Sequence, residues 1–258
     1  MAAAGDRVAD YDGIASGYDR RYQIHDYAGV RETLVDFVGD AAAVLEVGCG
    51  TGHWLAMLQT RSSTGRLLAG IEPSSEMVAR ARAATAARLV RGRAEALPWR
   101  DAAFDRVYAI NALHHFTDRA RFFAEARRVL EPGGALLTIG KDPHAERDSW
   151  WVYDYFPETI EIDRRRFARV RDLRGEMALA GFSWTESFEA DCVEATMPAA
   201  EALATGVVDR AYTSQLTVLS EEEFEAGVAR IRAADAAAGG ELVLATGFRL
   251  YAAIGRLG

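Results

Sequence analysis

Residues 44–53 read Val44-Leu45-Glu46-Val47-Gly48-Cys49-Gly50-Thr51-Gly52-His53. The branched apolar residues before the glycines are typical of a parallel strand that is covered on both faces. The alternating glycines remove the Cβ atoms that would block a tight turn and the close approach of a ligand. A helical spacing of apolar residues then begins at Trp54. The stretch therefore predicts a strand, a glycine loop and a helix whose free N–H groups face a bound cofactor.

The spacing of the glycines and the residue before them indicate which cofactor binds. Dinucleotide sites place a pyrophosphate on this turn and use the spacing G-x-G-x-x-G. Here the spacing is G-x-G-x-G, and Glu46 lies two residues before the first glycine. A carboxylate there would repel a pyrophosphate, because like charges repel at short range. It suits a ligand with an ammonium group and no phosphate, such as S-adenosylmethionine (SAM).

Length, composition and net charge limit which kinds of protein and partner are compatible with this sequence. At 258 residues, half of them hydrophobic, the chain is long enough for one large α/β domain with a sizeable core. Its net charge of -8 argues against a nucleic-acid partner, which needs a basic face. The basic run Arg164–Arg166 is interpreted as the solvated start of a helix. Two cysteines, Cys49 and Cys192, suggest neither a disulfide framework nor a metal site.

The amino-terminal residues and the hydropathy pattern indicate the cellular compartment. Residues 1–10 contain no apolar core of a signal peptide, and no run of about 18 apolar residues predicts a membrane span. The sequence therefore predicts a cytoplasmic protein without a membrane span.

A second strand is predicted at Leu67–Ile71, and it ends at Glu72. In dinucleotide folds an acid about 20 residues beyond the glycines accepts hydrogen bonds from the ribose hydroxyls, and Glu72 has that position. Pro73 then opens a helix predicted over Ser75–Ala87. Further strands are predicted at Leu89-Val90, Phe104–Ile110, Ala135–Ile139, Trp184–Val193 and Leu242–Ile254. Helices are predicted at Arg121–Leu130 and Phe167–Ala180, with one or two more between Met197 and Ala238.

These motifs, with Gly92–Trp99 and the turn Pro132-Gly133-Gly134, resemble class I SAM-dependent methyltransferases over residues 40–140. The resemblance is to small-molecule enzymes of the ubiquinone and menaquinone biosynthesis type. It implies an α/β, Rossmann-like, doubly wound, mainly parallel sheet of seven strands, with helices on both faces and an antiparallel last strand. It also implies one domain over residues 1–258, with a helical cover at about 1–40 and substrate-side insertions at about 142–165 and 197–238.

The resemblance implies a set of cofactor-binding residues. They are Tyr18, Glu46, Gly48, Cys49, Gly50, Gly52, Glu72, Pro73, Met77, Ala94, Glu95 and Asn111. The chain departs from the family pattern at Arg93, where relatives carry an aspartate for the adenine amino group. Arginine cannot accept a hydrogen bond. Adenine contact is therefore expected from the backbone near Ala94 or from Glu95.

Candidate catalytic residues should follow strands, because ligands of open α/β sheets lie across the carboxyl ends of the strands. His114 and His115 follow the fourth predicted strand and are the general-base candidates. The alternative is that this pair only packs and contacts the cofactor. Lys141 and His144 follow the next strand and are weaker candidates.

The aromatic stretch Trp150–Phe156 has two interpretations, a buried helix face or the lining of an apolar acceptor pocket. The residues expected to bind substrate are Tyr11, Tyr22, His144, Trp151, Tyr153 and Tyr155.

The predicted function is transfer of a methyl group from SAM to an O, N or C nucleophile of a small molecule, in specialised or cofactor metabolism. S-adenosylhomocysteine (SAH) is the expected product. No metal, nucleic acid or membrane span is expected. Two alternatives stay open, an NAD-dependent oxidoreductase and a non-catalytic SAM-binding protein.

Overall fold

A computed structural model of the chain describes residues 18–61 and 65–258. The chain divides into two compact units. Among the described residues, unit 1 comprises 18–26, 143–166 and 192–249, and unit 2 comprises 27–142, 167–191 and 250–258. The predicted insertions at about 142–165 and 197–238 overlap the ranges of unit 1. The predicted single domain with a cover stays a prediction, and Tyr11 lies outside the described residues.

The described residues form eight strands, which are β1 Ala43–Val47, β2 Leu67–Glu72, β3 Arg88–Arg91, β4 Phe104–Ile110, β5 Leu130–Gly140, β6 Ser149–Trp150, β7 Trp184–Pro198 and β8 Val243–Arg256. In unit 2 the order is β3-β2-β1-β4-β5-β8, with β7 also paired to β8. Neighbours from β3 to β5 are parallel, and β8 is antiparallel to β5 with Ala135 opposite Arg256. The predicted mainly parallel sheet with an antiparallel last strand is thus confirmed. The additional strand is β6, whose two residues pair with β8 inside unit 1.

Helices of unit 2 pack around this sheet. They are α2 Ala28–Val38, α3 His53–Arg61, α4 Ser75–Ala84, α5 Arg119–Val129 and α8 Val170–Leu179. Leu45 of β1, Phe104 of β4 and Phe122 of α5 lie in one fully buried apolar cluster. Because apolar burial is the main favourable term in folding, this cluster holds the strand ends in fixed positions.

Side-chain caps set where two of these helices begin. Ser74 accepts a hydrogen bond from the N–H of Met77 at the start of α4, and Asp118 accepts one from Arg121 at the start of α5. Such caps satisfy N–H groups that have no partner within the helix. Both helices therefore start at defined residues just after strands β2 and β4.

Unit 1 is mainly helical. Its helices are α1 Arg21–Ile24, α6 Trp151–Tyr155, α7 Glu158–Arg166, α9 Ala199–Thr205, α10 Ser214–Thr217 and α11 Glu221–Ala237. Three helices thus lie between 197 and 238, where one or two were predicted. The buried carboxylate of Asp163 accepts hydrogen bonds from Tyr153 and Gln215, both at 2.8 Å, and so joins α6, α7 and α10.

Several predicted boundaries differ from the structure. The turn Pro132–Gly134 was predicted to separate the helix from a strand at Ala135–Ile139, but it lies within β5, which already begins at Leu130. A register shift between β4 and β5 accommodates these residues inside the strand. Helix α4 ends at Ala84 because Thr85 is extended, and α8 begins at Val170, whose N–H donates to Asp142.

The interpretation of the arginine run was wrong in one respect. Arg164–Arg166 end helix α7 rather than start it. Positive side chains in the last turn of a helix complement its dipole, which accounts for the placement. Arg164 also pairs with Glu146 and Glu161, each at 2.8 Å. In the part of the chain that the structure describes, no helix is long and apolar enough to cross a membrane.

Candidate functional site

The glycine loop leaves the carboxyl end of β1 and turns over the end of β2. The N–H groups of Gly48 and Cys49 donate to the carbonyl oxygen of Ile71 at 2.8 and 3.1 Å. Gly48 has φ of +76°, and a Cβ there would lie 2.5 Å from that of Ala112. Gly52 has φ of +81°. Both positions therefore need glycine for the turn itself, whether or not a ligand is bound.

Glu72 ties this loop to the helix that follows β2. Its carboxylate is buried, and Oε2 accepts from the N–H of Gly50 at 3.1 Å while Oε1 accepts from the N–H of Ser74 at 3.0 Å. A carboxylate can accept about four hydrogen bonds. Glu72 can thus hold the loop and still accept from hydroxyl groups of a ligand. Pro73, Ser74 and Met77 follow it directly, and the side chain of Met77 is buried.

Glu46 lies inside the sheet beneath the start of the loop. Its side chain is 1% exposed, and the hydroxyl of Tyr108, its register partner on β4, donates to it at 3.0 Å. Burial raises the pKa of Glu46 well above its ordinary value, the hydrogen bond from Tyr108 opposes this, and the charge of Glu72 adds to it. A cation beside Glu46 would lower this pKa again. The predicted role of Glu46 toward an ammonium group stays a prediction.

Cys49 lies in the loop but is not exposed. Burial raises the pKa of its thiol well above the ordinary value, and the charges of Glu46 and Glu72 raise it further. Because the thiolate is the reactive form, Cys49 is an unreactive neutral group at neutral pH. Its predicted contact with the cofactor therefore depends on its backbone and its small side chain.

Ala94 and Glu95 follow β3, as the sequence indicated. Ala94 is buried, and Oε1 of Glu95 accepts from the N–H and the hydroxyl of Thr117 at 2.7 and 2.9 Å and from the N–H of Asp118 at 3.3 Å. Burial by itself raises the pKa of Glu95, but these bonds and its own N–H bring that pKa below the ordinary value. This side chain therefore anchors the entry to α5, so an adenine contact would fall mainly to the backbone.

Asn111 follows β4 with φ of +51°, a conformation uncommon outside glycine, and its N–H donates to Ile139 at 2.7 Å. A short 3-10 turn over Leu113–His115 comes next. The ring of His114 stacks on Phe167, with centroids 3.9 Å apart and 16° between the planes. The ring of His115 lies 3.8 Å from that of His114. The structure therefore brings both candidate bases together after β4.

A cavity of about 30 Å³ in unit 2 is lined by His114, Lys141 and Tyr251 among others. Lys141 directly follows β5 and is buried. The space suffices for one or two water molecules rather than an organic acceptor. The structure thus places two of the candidates at one small opening at the ends of β4 and β5.

The other predicted substrate residues belong to unit 1. Tyr22 lies in α1, and Tyr18 lies in the turn before it, where the guanidinium carbon of Arg21 is 3.4 Å from its ring centroid. His144 lies in the turn Pro143–Ala145 and is half-buried.

Helix α6 carries the three remaining predicted substrate residues. The hydroxyl of Tyr153 donates to Asp163, and burial and the charge of Asp163 raise the pKa of Tyr153. Trp151 is buried, whereas Tyr155 is half-buried.

Unit 1 also contains residues that the sequence analysis missed. A cavity of about 240 Å³ is lined by Ile24, His25, Trp151, Met197, Tyr212 and Leu244, among others. His25 and Tyr212 form a buried hydrogen bond of 2.5 Å across 187 positions of the chain. A histidine among the tyrosines of residues 11–27 was an available signal for His25. No pattern in the neighbouring sequence indicated a role for Tyr212, because its partner His25 lies 187 positions away.

Within 18–61 and 65–258, no group of three or more His, Cys, Asp or Glu side chains could hold a metal ion.

Residues 45–138 match the family described as Methyltransferase domain. A demethylmenaquinone methyltransferase from Lactiplantibacillus plantarum is 30% identical over 175 residues, which are 61% of this chain and 72% of that protein. A 27-O-demethylrifamycin SV methyltransferase from Amycolatopsis mediterranei is 38% identical over 100 residues, or 36% of each chain. The chain spans 29% and 36% of the length of two curated relatives that it matches at 38% identity.

Among solved structures, phosphoethanolamine N-methyltransferase 2 from Haemonchus contortus in complex with SAM has a TM-score of 0.60. It shares 15% sequence identity, and the alignment covers 96% of this chain and 57% of that one. At this level of identity the likeness shows the fold alone.

Proposed function

The chain belongs to the SAM-dependent methyltransferase family, and from this we propose that it transfers a methyl group from SAM to a small-molecule acceptor. The acceptor offers an O, N or C nucleophile, in specialised or cofactor metabolism, and SAH is the product. The observation that carries this proposal is the bond between Glu72 and the N–H of Gly50, 3.1 Å long. It places a carboxylate at the glycine loop, where ribose hydroxyls need an acceptor.

Glu46 and the glycine spacing disfavour the alternative of an NAD-dependent oxidoreductase. Pyrophosphate sites use the spacing G-x-G-x-x-G, whereas this loop has the spacing G-x-G-x-G. Glu46 lies two residues before the first glycine, and a carboxylate beside a pyrophosphate would repel it. A cofactor with a ribose, an amino-acid tail and no phosphate fits this arrangement.

We assign the cofactor to residues of unit 2, namely Glu46, Gly48, Cys49, Gly50, Gly52, Glu72, Pro73, Met77, Ala94, Glu95 and Asn111. The contact of Tyr18, in unit 1, stays a prediction. SAM supplies an electrophilic methyl group on a sulfonium. The chain must then hold the acceptor in line with that group and exclude water. Little acid chemistry is needed, which agrees with a site made largely of backbone and buried carboxylates.

His114 or His115 would accept a proton from an acceptor that has to lose one. Both rings are half-buried in the turn after β4, at the edge of the sheet where ligands of this fold lie. Replacing the base by alanine should lower turnover by about 10²–10⁴-fold with little change in SAM affinity. The readout is SAH formation with an acceptor found by screening. Full turnover in both His→Ala variants would leave catalysis to positioning alone.

The acceptor has some aromatic or apolar character in this proposal. Support comes from the predicted substrate residues Trp151, Tyr153 and Tyr155, which all lie on α6. Two similar proteins are named for demethylmenaquinone and for 27-O-demethylrifamycin SV, which supports a small-molecule acceptor.

The experiment that tests the cofactor is a thermal-unfolding titration with SAH and, separately, NAD. Ligand at 100 times its Kd stabilises a folded protein by about 2.7 kcal/mol. SAH should therefore raise Tm in a concentration-dependent way, and NAD should not. A response to NAD without one to SAH would overturn the proposal. SAH binding with no methyl transfer to any screened acceptor would favour the non-catalytic alternative.

A further inference from the structure

The cavity of about 240 Å³ in unit 1 is large enough for an organic molecule. An apolar protein cavity of about 150 Å³ is known to hold benzene. A space of 240 Å³ thus accommodates one ring with substituents. Its walls come from α1, α6, β7, α9 and β8, so distant parts of the sequence build it together.

The chemistry of the walls selects the ligand. The lining contains no Asp, Glu, Lys or Arg among the residues that the structure describes. Ile24, Val207 and Leu244 are aliphatic, and Trp151 and Met197 add a large ring and an adaptable thioether. Burying an ionised group in such a space without a partner is strongly unfavourable. The cavity therefore excludes charged molecules and favours uncharged, largely apolar ones.

The polar side chains of the lining are uncharged: Gln23, Thr196, Thr246 and the pair His25 and Tyr212. His25 and Tyr212 are each 5% exposed and bonded to each other. Burial, aided by the charge of Arg21, lowers the pKa of His25 to about 4, so its ring is neutral at pH 7. Bonded to a neutral imidazole, the hydroxyl of Tyr212 keeps either a proton to donate or a lone pair to offer to a ligand.

We propose that this cavity binds a small uncharged ring compound with one hydroxyl or carbonyl group, which meets Tyr212 while the ring lies among Trp151, Met197 and Leu244. The described walls of this site belong to unit 1, and binding there is independent of the proposed methyl transfer. Its natural ligand is a small molecule of this chemistry.

The test uses three probes of equal ring size, 4-methylphenol, toluene and 4-methylbenzoate, without SAM. The protein is labelled at the methyl groups of its methionines, of which the sequence has five, and the Met197 resonance is assigned with Met197→Leu. 4-Methylphenol should shift the Met197 resonance saturably, toluene should bind about fivefold more weakly, and 4-methylbenzoate should not bind. The resonance of Met57, in unit 2, is the internal control.

Two variants test the walls. Tyr212→Phe keeps the ring and removes the hydroxyl, so the affinity for 4-methylphenol should fall about five- to tenfold while that for toluene stays within twofold. Ala195→Leu, at a half-buried wall position, should weaken both probes at least tenfold. Circular dichroism and the other methionine resonances report whether each variant is folded.

The outcomes separate clearly. No saturable shift at Met197, equal binding of 4-methylbenzoate, or a Tyr212→Phe variant that keeps the preference for 4-methylphenol would overturn the proposal. Saturable, phenol-selective binding supports it, and adding SAM then identifies the source: methylated 4-methylphenol indicates an acceptor, and unchanged phenol indicates a separate ligand. Because binding is measured without SAM, this proposal and the proposed function fail independently.

Discussion

At the residue scale, the carboxylate of Glu72 connects two backbone segments before any ligand arrives. Its oxygens accept from the N–H groups of Gly50 and Ser74. The loop after β1 and the first turn of α4 therefore move together. Such an arrangement prepares the ribose acceptor in the free protein, so that binding need not order it.

Replacing Glu72 by Gln tests that role. The amide keeps the shape but loses the charge and turns one acceptor into a donor, which must face Gly50 or Ser74. Hydrogen bonds to charged groups contribute about 1.5–3 kcal/mol, so SAM affinity should fall roughly 10- to 150-fold by calorimetry. Glu76→Gln, at an exposed position in the first turn of α4, should stay within about twofold of the parent. Unchanged affinity in the Glu72 variant would mean that the carboxylate does not face the ribose.

His25 makes a second residue-scale prediction, on stability against pH. Its pKa is about 4 in the folded protein and 6.5 ordinarily, because burial and then Arg21 disfavour the cation. Between these values the unfolded chain binds a proton that the folded chain does not. The contribution of His25 is therefore fully present above pH 6.5 and is lost as the pH falls to about 4. The total is roughly 3 kcal/mol.

Urea denaturation of the parent and of His25→Gln, repeated from pH 7.5 to 4.5, measures this effect. The variant cannot titrate at position 25, so the parent should lose stability relative to it as the solution is acidified. Tyr212, the ring bonded to His25, does not ionise in this range because burial raises its pKa. Parallel curves for the two proteins would contradict the prediction.

At the element scale, the packing of α6 against α11 gives both interpretations of the aromatic stretch a physical meaning. Val152 and Phe156 are fully buried, and the ring of Phe156 stacks on Phe224 with centroids 5.7 Å apart. Trp151 is buried too, yet it lines the cavity of unit 1. Val152 of α6 and Phe156 just after the helix thus contribute to the core, whereas Trp151 of the same helix lines the cavity.

Gly227 in the middle of α11 makes this packing possible. A Cβ at this position would lie 2.1 Å from the ring of Phe156, which is fully buried and cannot move away freely. Gly→Ala in a helix interior normally stabilises by about 1 kcal/mol. Here the sign should reverse, because overpacking a core costs about 1–3 kcal/mol. Gly227→Ala should therefore lower the free energy of unfolding.

The chain supplies a matched control for that substitution. Gly175 lies inside α8, and a Cβ there would meet nothing within 4 Å. Gly175→Ala should keep or raise stability by up to about 1 kcal/mol, in the same urea experiment. Equal effects of the two alanines would show that the ring of Phe156 does not press on α11.

At the scale of the whole molecule, charge sets the class of partner. The net charge is -8 over 258 residues. In its one run of three arginines, Arg164 pairs with Glu146 and Glu161, and Arg166 lies 3.5 Å from Asp163. Two of the three arginines in this run are therefore paired with acidic side chains within unit 1.

Binding to nucleic acid should accordingly be absent. Phosphate contacts release counterions, so any such binding would strengthen steeply at low salt. Titration of a fluorescent 30-base-pair duplex at 50 and 200 mM salt should give no saturable change in anisotropy at either concentration. A salt-dependent complex would show that a local basic face outweighs the net charge.

The glycine loop and the position of Glu72 at the end of β2 could be predicted from the residues, and the mainly parallel sheet from the family resemblance. Gly48 needs a positive φ, and the strand before it needs branched apolar residues; both requirements are local and leave a pattern in neighbouring letters. The caps of α4 and α5 are local in the same way, since Ser74 and Asp118 act on residues three positions away.

The side-chain pairs and the cavity of unit 1 could be seen only in the tertiary structure, because they form between segments that are far apart in the sequence. His25 forms a hydrogen bond with Tyr212, and Asp163 accepts hydrogen bonds from Tyr153 and Gln215. The cavity of unit 1 is lined by residues of five separate elements. Glu95 likewise accepts hydrogen bonds from the N–H groups of Thr117 and Asp118 just before α5. Local periodicity encodes backbone conformation and burial of a face, but a side-chain pair forms only when folding brings two remote chain segments within about 3 Å. Sequence order carries no record of that distance.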